Sequence, residues 1–230
     1  MNSLLKKSGL IIVFAVCLCL LMATVVSAEA EERYYLRLQG AQSNISGDFD
    51  GKTGGKFIDK ETIMVAAPDM DNDTGYGIVF GAEKDRLCGE FNYLTGKHDS
   101  KVHGTSGSYD IGQTTLERFG FDVKYAFIDP ANSKIVPFGL LGISRDSFLV
   151  ENGAVNTAST PSIEGKAKYQ GWGYKIGAGV VFRLHDKLAL EGSYTISKTS
   201  LDRVKAFNET RDPGYKVNCQ TIAVSLNYYF

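Results

Sequence analysis

The chain has 230 residues, and its 25 basic and 26 acidic side chains give it a formal charge of −1. This balance excludes the basic excess of a nucleic-acid-binding protein. Glycine is abundant, with 25 residues, and aromatic residues make up 11% of the chain. With few long apolar blocks beside them, this composition favours strands and turns over helices.

Residues 1–28 have the three-part pattern of a secretory signal peptide. Two lysines are followed by an almost wholly apolar run from Leu10 to Val26, and the small residues Ser27 and Ala28 end it. The run is about as long as the shortest membrane-spanning helices, so an uncleaved anchor is the alternative. Glutamates follow the small residues at once, which favours cleavage. We therefore expect a mature domain of residues 29–230, with 23 basic and 26 acidic residues.

Beyond the leader, eight segments alternate apolar residues with polar or small ones, which is the period of a β-strand. In chain order, their apolar residues lie within Tyr34–Leu38, Tyr76–Phe80, Leu87–Tyr93, Phe119–Phe127, Ile135–Ser144, Trp172–Phe182, Leu188–Tyr194 and Ile222–Phe230. In the fifth segment, Pro137 and Gly139 leave the two faces ambiguous. No segment shows a sustained helical period.

The connections between these segments alternate in length. Those after the second, fourth and sixth segments are turn-sized, and the others are long. The long ones are Asn44–Asp73, Lys97–Thr115, Arg145–Lys168 and Ser197–Gly214. An even number of aromatic-rich strands of about ten residues, with short turns at one end and long loops at the other, is typical of an outer-membrane barrel.

The chain ends in an aromatic strand, L-N-Y-Y-F. With the leader, the hairpin sequence Gly177–Tyr194 and the segment Lys134–Ile143, it resembles the small, porin-like, eight-stranded outer-membrane barrels of the OmpA, OmpX and opacity-protein class. The resemblance covers the strands and not the loops. It implies an all-β, antiparallel up-and-down barrel in the outer membrane of a Gram-negative cell, with short periplasmic turns, long extracellular loops and both termini in the periplasm. It also implies that Leu226, Tyr228 and Phe230 belong to a signal read by the barrel-assembly machinery.

If the apolar faces point to lipid, the opposite faces line the interior. Their charged residues include four bases and three acids: Arg37, Glu90, Asp122, Lys124, Lys175, Arg183 and Glu191. Eight strands enclose only enough room for side chains. We therefore expect a polar core of paired charges, and a narrow gated pore is the alternative.

Two cysteines remain after the leader. Cys88 follows a short turn, whereas Cys219 lies eleven positions before the end of the chain. At about 3.3 Å per residue, the two should lie near opposite rims of the barrel. A disulfide requires Cα atoms within roughly 7 Å of each other, so we expect two free thiols.

The stretch P-D-M-D-N-D-T-G places Asp69, Asp71 and Asp73 at alternating positions, as in a calcium-binding loop. The EF-hand pattern requires glycine where Thr74 stands and a bidentate glutamate where Phe80 stands. A solvated acidic loop is the favoured interpretation, and weak calcium binding is the alternative.

A barrel enzyme that modifies lipid A would need a serine or aspartate nucleophile beside a histidine base. His98, Asp99 and Ser100 are adjacent in sequence, but we place them in a long loop, where adjacency does not create the required geometry. His185 lies in a short turn. We therefore expect no enzyme and no cofactor.

The sequence thus predicts a non-enzymatic integral outer-membrane barrel whose loops serve envelope structure or bind a partner, as in adhesion. Outer-membrane lipids and lipopolysaccharide are its expected surroundings, and no nucleic acid is expected. The alternative is a secreted soluble barrel of lipocalin type that binds a small apolar ligand and buries the apolar faces. Aromatic residues near the strand ends favour the membrane barrel.

Overall fold

The computed structural model describes residues 32–51, 53–57, 63–104, 107–156 and 163–230, so the leader lies outside the described residues. These residues form twelve strands in one sheet and one short 3-10 helix, Pro130–Asn132. The strands are β1 (Arg33–Gly47), β2 (Thr53–Phe57), β3 (Ile63–Ala66), β4 (Asp69–Met70), β5 (Asp73–Lys84), β6 (Leu87–Gly104), β7 (Gly107–Ala126), β8 (Ile135–Asn156), β9 (Ile163–His185), β10 (Leu188–Ala206), β11 (Glu209–Arg211) and β12 (Tyr215–Tyr229). Among the described residues, no helix is both long and apolar enough to cross a membrane.

Eight of these strands close into an antiparallel ring in the order β1, β5, β6, β7, β8, β9, β10, β12. The ring closes where β12 pairs with β1, from Tyr229 opposite Tyr35 to Val217 opposite Gly47. Closure removes the free edges that an open sheet would present. The predicted eight-stranded antiparallel barrel is confirmed.

Three short connections lie at one end of the ring, which we call the short-turn end. Asp85, with a left-handed φ of 53°, turns β5 into β6. Between β7 and β8, the side chain of Asp129 caps the 3-10 helix by accepting a hydrogen bond from the Ala131 backbone N–H. The first and last ring strands also meet here, through Tyr35 and Tyr229. We call the opposite end the extended end.

The ring strands are longer than the sequence predicted. β8 has 22 residues and β9 has 23, where about ten were expected. Much of the predicted loops Lys97–Thr115, Arg145–Lys168 and Ser197–Gly214 is paired strand, so their assignment as loops was wrong. The alternation continues through these stretches, but the apolar residues move to the other face.

The segment after β1 folds back over the extended end. β3 pairs with the end of β8 and with β2, and β4 pairs with β6 at Ser100 and Lys101. Within the predicted loop Asn44–Asp73, Ile63–Ala66 is therefore a strand. Residues 58–62 lie outside the described residues.

The switch of the apolar face is clearest in β9. Toward the short-turn end, Trp172 and Ile176 face outward, and Lys175 between them is only 7% exposed. Beyond Gly171 the order reverses, because Tyr169 is fully buried while Lys168 faces outward. The same reversal buries Phe148 of β8, Leu201 of β10 and Val217 of β12. The barrel therefore has a polar interior in one half and an apolar interior in the other.

The outward apolar residues of the short-turn half form a continuous belt. In β9 the belt runs from Leu184 to Trp172. Twelve residues at about 3.3 Å each, tilted by about 40°, span roughly 30 Å along the barrel axis, close to the thickness of the hydrocarbon layer. Leu141 and Val224, each 64% exposed, belong to this belt. The soluble lipocalin alternative is wrong, because that fold would bury these side chains.

Candidate functional site

Four charged side chains form a cluster at the centre of the polar half. Arg37 binds Glu90 with two hydrogen bonds, of 2.9 and 2.7 Å, and donates a third of 2.5 Å to Glu191. The Nζ atom of Lys124 lies 2.7 Å from Glu90 and 2.6 Å from Glu191. Two bases thus meet two acids, and each carboxylate touches both bases.

Neutral side chains complete this cluster. The Tyr35 hydroxyl donates to Glu90, and the Asn227 amide donates to Glu191 over 3.1 Å. The Lys124 ammonium lies 4.3 Å from the centre of the Phe138 ring, within reach of a cation–π contact. Buried charges are tolerated only when they are paired and hydrogen-bonded, and this arrangement meets that requirement.

A second ion pair lies on the facing strands. Lys175 of β9 contacts Asp122 of β7 at 2.7 Å and donates to Asn92 of β6 over 3.2 Å. Asn92 in turn donates to Asp122 over 2.8 Å. The three side chains form a closed triangle across the barrel.

Two glycines make room for this triangle. A Cβ atom on Gly142 would overlap Oδ1 of Asp122, and one on Gly120 would lie 2.6 Å from Oδ1 of Asn92. Any side chain at these positions would displace the polar groups. The geometry of the interior therefore depends on glycine at both sites.

A third ion pair was missing from the sequence analysis. Arg118 binds Asp146 with two hydrogen bonds of 2.8 and 2.9 Å, and the Thr199 hydroxyl also donates to Asp146. Asp146 lies in a stretch predicted to be a loop, because the outward apolar residues of β8 stop near Ser144. The signal that would have found the pair is the even spacing of Ser144, Asp146 and Phe148 on one face of a continuing strand.

The remaining predicted base, Arg183, lies apart from these clusters at the short-turn end. It contacts Glu83 at 2.7 Å and donates to the Pro130 carbonyl over 2.6 Å. Glu83 was also missing from the predicted set. With Glu83, Arg118 and Asp146 included, five inward bases of the described residues are each ion-paired with an inward acid. Arg33 adds a base at the short-turn rim, 4.6 Å from the centre of the Tyr229 ring.

The apolar half of the interior is built around four aromatic rings. Phe49 packs edge-on against Phe148 and Tyr169, with ring centres 5.2 Å apart in both pairs, and Tyr215 stacks on Tyr169. Aliphatic side chains of six strands, β1, β3, β7, β8, β10 and β12, pack around the rings: Ile45, Val65, Leu116, Val150, Leu201, Val204 and Val217.

Tyr169 links this apolar core to the segment that covers it. Its hydroxyl donates a 2.6 Å hydrogen bond to the Ala66 carbonyl of β3. Burial raises the pKa of Tyr169 above its usual value, so the hydroxyl keeps its proton. Phe49 is only 2% exposed, which means that the segment after β1 closes the extended end with its own side chain.

Little free volume is left near the clusters. A cavity of about 30 Å³ opens toward the short-turn end beside Tyr35, Cys88 and Arg183. This volume is enough for a water molecule. Among the described residues, the polar clusters thus occupy the short-turn half of the barrel, and the aromatic core and covering segment occupy the extended half.

The two acidic residues of the proposed calcium loop that can be placed contact bases. Asp69 lies 3.0 Å from His103, and Asp71 lies 2.9 Å from Lys101. The hydrogen bond that Lys101 donates to Asp71, together with the negative charge of that carboxylate, raises the pKa of Lys101. The side chain of Asp73 lies outside the described set. In the described part of the chain, no three acidic, histidine or cysteine side chains converge to hold a metal ion.

The histidine and serine weighed as a catalytic pair lie in β6 and not in a loop, so that part of the prediction was wrong. His98 and Ser100 both point into the barrel, and Asp99 between them points out. His98 contacts the Asp71 carbonyl at 3.1 Å, and Ser100 donates to Thr114 over 2.7 Å. Strand alternation separates Asp99 from its sequence neighbours, and both inward residues serve structural contacts.

The two described cysteines are free and buried. Cys88 lies near the short-turn end, 3.1 Å from the Tyr35 hydroxyl. Cys219 lies opposite Ile45 and Ser197 in the other half of the barrel. This separation is the one expected from the sequence.

The three residues of the predicted assembly signal share the outward face of β12. Leu226, Tyr228 and Phe230 are 44%, 51% and 65% exposed. The backbone N–H of Phe230 donates to the Tyr34 carbonyl over 3.0 Å, and its ring lies 6.4 Å from that of Phe80. These aromatic residues form part of the belt at the short-turn end.

A family profile for the outer membrane protein beta-barrel domain matches residues 14–230. The chain belongs to this family. It is therefore an integral protein of the outer membrane, and the apolar belt is its lipid-facing surface.

Solved structures agree with this fold. OprG from Pseudomonas aeruginosa is 15% identical, with 87% of this chain and 97% of that chain covered and a TM-score of 0.58. Neisserial surface protein A is 13% identical, with 86% and 97% covered and a TM-score of 0.53. A major outer membrane protein from Thermus thermophilus is 10% identical, with 86% and 99% covered and a TM-score of 0.54. A comparison with curated proteins found no match in sequence.

Proposed function

We propose that this protein is a closed, non-enzymatic barrel that holds a rigid extension above the outer membrane and binds a partner there. In this proposal the short-turn end faces the periplasm and the extended end faces the outside of the cell. The observation that carries it is the change of core along single strands, from paired charges within the apolar belt to packed aromatic and aliphatic side chains beyond it.

The ion-paired interior favours a closed barrel rather than a pore. In the described interior, five bases are each ion-paired with an acid, so these clusters carry no field of one sign that would select ions. Removing one partner of a buried pair typically costs about 3–5 kcal/mol. A passage through these clusters would require several such pairs to separate together.

The long strands support the binding role. A transmembrane strand needs about 9–11 residues, whereas β8 and β9 have 22 and 23. The surplus residues pair with each other around an apolar core and are not free loops. A preorganised surface of this kind loses less conformational entropy on binding than mobile loops do.

The outer face of the extension carries polar and aromatic groups that suit a protein or glycan partner. Tyr109 is 55% exposed, and Asp110, Asp202 and Glu209 are also exposed. His98 and Ser100 form hydrogen bonds with other residues inside the barrel, and this favours a binding function rather than a catalytic one.

The outward apolar face of β12 supports a further part of the proposal, that Leu226, Tyr228 and Phe230 are read during assembly. Replacement of Phe230 by alanine should then reduce the amount of folded protein in the outer membrane. Purified protein with the same substitution should still refold in detergent.

Two measurements test the main proposal. Purified protein in planar lipid bilayers should give no conductance steps, and cells that express it should adhere to immobilised matrix proteins or host cells better than cells without it. Deleting residues 151–166, which include the end of β8 and the start of β9, should abolish adhesion while the barrel still migrates compactly on unheated gels. A matched deletion of residues 207–212 is made as well. The proposal would be contradicted if the intact protein conducts ions, or if adhesion survives both deletions.

A further inference from the structure

Basic side chains gather on one outer side of the barrel, where the apolar belt gives way to the extension. They lie on the neighbouring strands β8, β9 and β10, and all point away from the barrel axis. We define the basic sector as Arg145, Lys168, Lys198, Arg203 and Lys205.

The height of the sector follows from aromatic residues at its lower edge. Trp172 is the one tryptophan of the chain, and it lies directly opposite Arg145. The Arg145 guanidinium is 5.4 Å from the centre of the indole ring. Lys198 lies opposite Tyr174. Exposed tryptophan and tyrosine mark the membrane interface, so these two bases lie at the level of lipid headgroups.

The sector continues upward from this interface. Lys168 lies four residues beyond Trp172, which is roughly 10 Å further from the hydrocarbon. A ligand that contacts the whole sector must therefore carry negative charge both at headgroup depth and in the layer above it.

The upper part of the sector contains an unusual contact. Lys168 and Lys205 are directly opposite each other in the antiparallel pair of β9 and β10, on the same face. Arg203 lies one step away, opposite Gln170. Like charges in directly opposite positions destabilise a sheet. An anion held between these side chains would relieve that repulsion.

Acidic residues do not balance the sector. Within the described residues, Asp202 is the one acid that contacts it, 3.6 Å from Arg145. Glu151 and Glu164 lie further toward the tip of the hairpin. At the same height on β6 and β7, the outward charged residues are Lys97, Asp99 and Glu117. Two acids accompany Lys97 there, and Lys216 of β12 lies beside β10, so the excess of outward positive charge lies on the side of the basic sector.

We propose that the basic sector binds lipopolysaccharide, with Arg145 and Lys198 at the lipid A phosphates and Lys168, Arg203 and Lys205 at the anionic sugars of the inner core. Lipopolysaccharide carries phosphates at the headgroup level and carboxylates or phosphates just above it, which matches the two levels of bases. This inference rests on the proposed orientation, in which the extended end faces the outer leaflet.

Purified protein in nanodiscs tests the binding independently of orientation in cells. The probe is deep-rough lipopolysaccharide, compared with its dephosphorylated form and with phosphatidylglycerol. The variant K168Q/R203Q/K205Q should lose affinity for the phosphorylated probe by about tenfold or more, since each base near an anionic surface contributes to binding. High salt should weaken binding by the wild-type protein.

A matched control removes the same number of charges elsewhere. The variant K97Q/K134Q/K187Q lies outside the sector and should bind the probe within about twofold of the wild type. The conservative variant K205R should also bind normally. Compact migration on unheated gels establishes that each variant is folded.

A second readout separates ligand binding from a structural role. In detergent without lipopolysaccharide, K205Q should raise the unfolding temperature because it removes the repulsion with Lys168, and added lipopolysaccharide should stabilise this variant less than the wild type. The proposal would be overturned if the triple variant binds lipopolysaccharide as tightly as the wild type, or if the control variant loses as much affinity as the triple variant. It would also be overturned if the wild type binds phosphatidylglycerol as tightly as lipopolysaccharide. If the extended end cannot be reached by a probe added outside intact cells, the proposed orientation is wrong, but the binding result in nanodiscs still stands.

Discussion

At the scale of single residues, the interior of the membrane-spanning half is defined by charge pairing. Glu90 is fully buried and contacts Arg37, Lys124 and Tyr35. Each of these groups is out of water, so each depends on its partners. The cost of removing one carboxylate is therefore larger than the net stabilisation that the pair provides in the intact protein.

We predict that Glu90→Gln lowers the free energy of unfolding by about 3–5 kcal/mol, because it leaves the charges of Arg37 and Lys124 facing one carboxylate. Urea unfolding in detergent, followed by gel mobility, measures the change. Glu117→Gln, on the outer face, is the control and should have little effect. If the two variants are half unfolded at similar urea concentrations, the buried cluster is not needed for stability.

Gly142 tests the close approach of backbone and side chain in the same interior. Alanine there would place its Cβ on top of Asp122 Oδ1 and 2.8 Å from the Phe121 carbonyl oxygen. We predict that Gly142→Ala destabilises the barrel by about 1–3 kcal/mol. At Gly192 an added Cβ meets nothing within 4 Å, so Gly192→Ala should unfold at nearly the wild-type urea concentration. If Gly142→Ala and Gly192→Ala unfold at the same urea concentration, the close approach at Gly142 does not matter for stability.

At the scale of strands, the main feature is that alternation continues while the apolar face changes sides. A strand in lipid needs apolar residues outside and polar residues inside, and the same strand in water needs the reverse. In β9 the change occurs between Tyr169 and Trp172. The extension is thus built as a water-soluble β-structure continuous with a membrane protein.

We predict that Tyr169→Phe loosens the segment that covers the extended end. The substitution removes the hydrogen bond to Ala66 and leaves its carbonyl without that partner, at a cost of about 1 kcal/mol. Amide hydrogen exchange should quicken in Ile63–Ala66 and stay unchanged in the ring strands below Trp172. Tyr174→Phe, on the outer face, is the control. Unaltered exchange in β3 would argue against this role of Tyr169.

The sequence was sufficient for the eight strands, their antiparallel order and the outward apolar faces of seven of them, because period-two alternation with aromatic residues identifies lipid-facing strands. The faces of the fifth strand, now β8, were ambiguous, because Val136, Phe138 and Leu140 are apolar and yet point inward. The sequence was insufficient for the length of the strands, because the apolar residues Phe148 and Val150 stand at the opposite parity from Leu141 and Ile143. A search that follows apolar residues on one face, at odd positions only or at even positions only, ends where the apolar residues pass to the other face. A search for alternation of either parity would have continued through β8.

The candidate site could be predicted only in part for the same reason. Arg37 and Lys124 lie between apolar neighbours within the belt, and Glu90 precedes the outward Phe91, so their inward direction followed from alternation. Arg118 and Asp146 pair where the face changes, and Glu83 lies at a strand end beside a turn. Which base contacts which acid depends on the stagger of the strands around the ring, and period-two alternation does not encode that stagger.

At the scale of the whole molecule, the two halves of the barrel are adapted to two solvents. The belt has a thickness of roughly 30 Å and ends at Trp172. The aromatic core of Phe49, Phe148 and Tyr169 lies beyond this boundary, beneath a polar surface. The proposed functions of closure, surface binding and lipopolysaccharide contact all depend on where this boundary lies.

The most direct test of this account is a depth measurement with spin labels. Single cysteines at Ile176 and Lys168 are labelled in a protein whose Cys88 and Cys219 are replaced by serine, and the labels are exposed to oxygen, which concentrates in lipid, and to a water-soluble nickel complex. We predict that the label at Ile176 collides mainly with oxygen and the label at Lys168 mainly with nickel. If both labels report lipid or both report water, the change of solvent along β9 does not exist and the account is wrong.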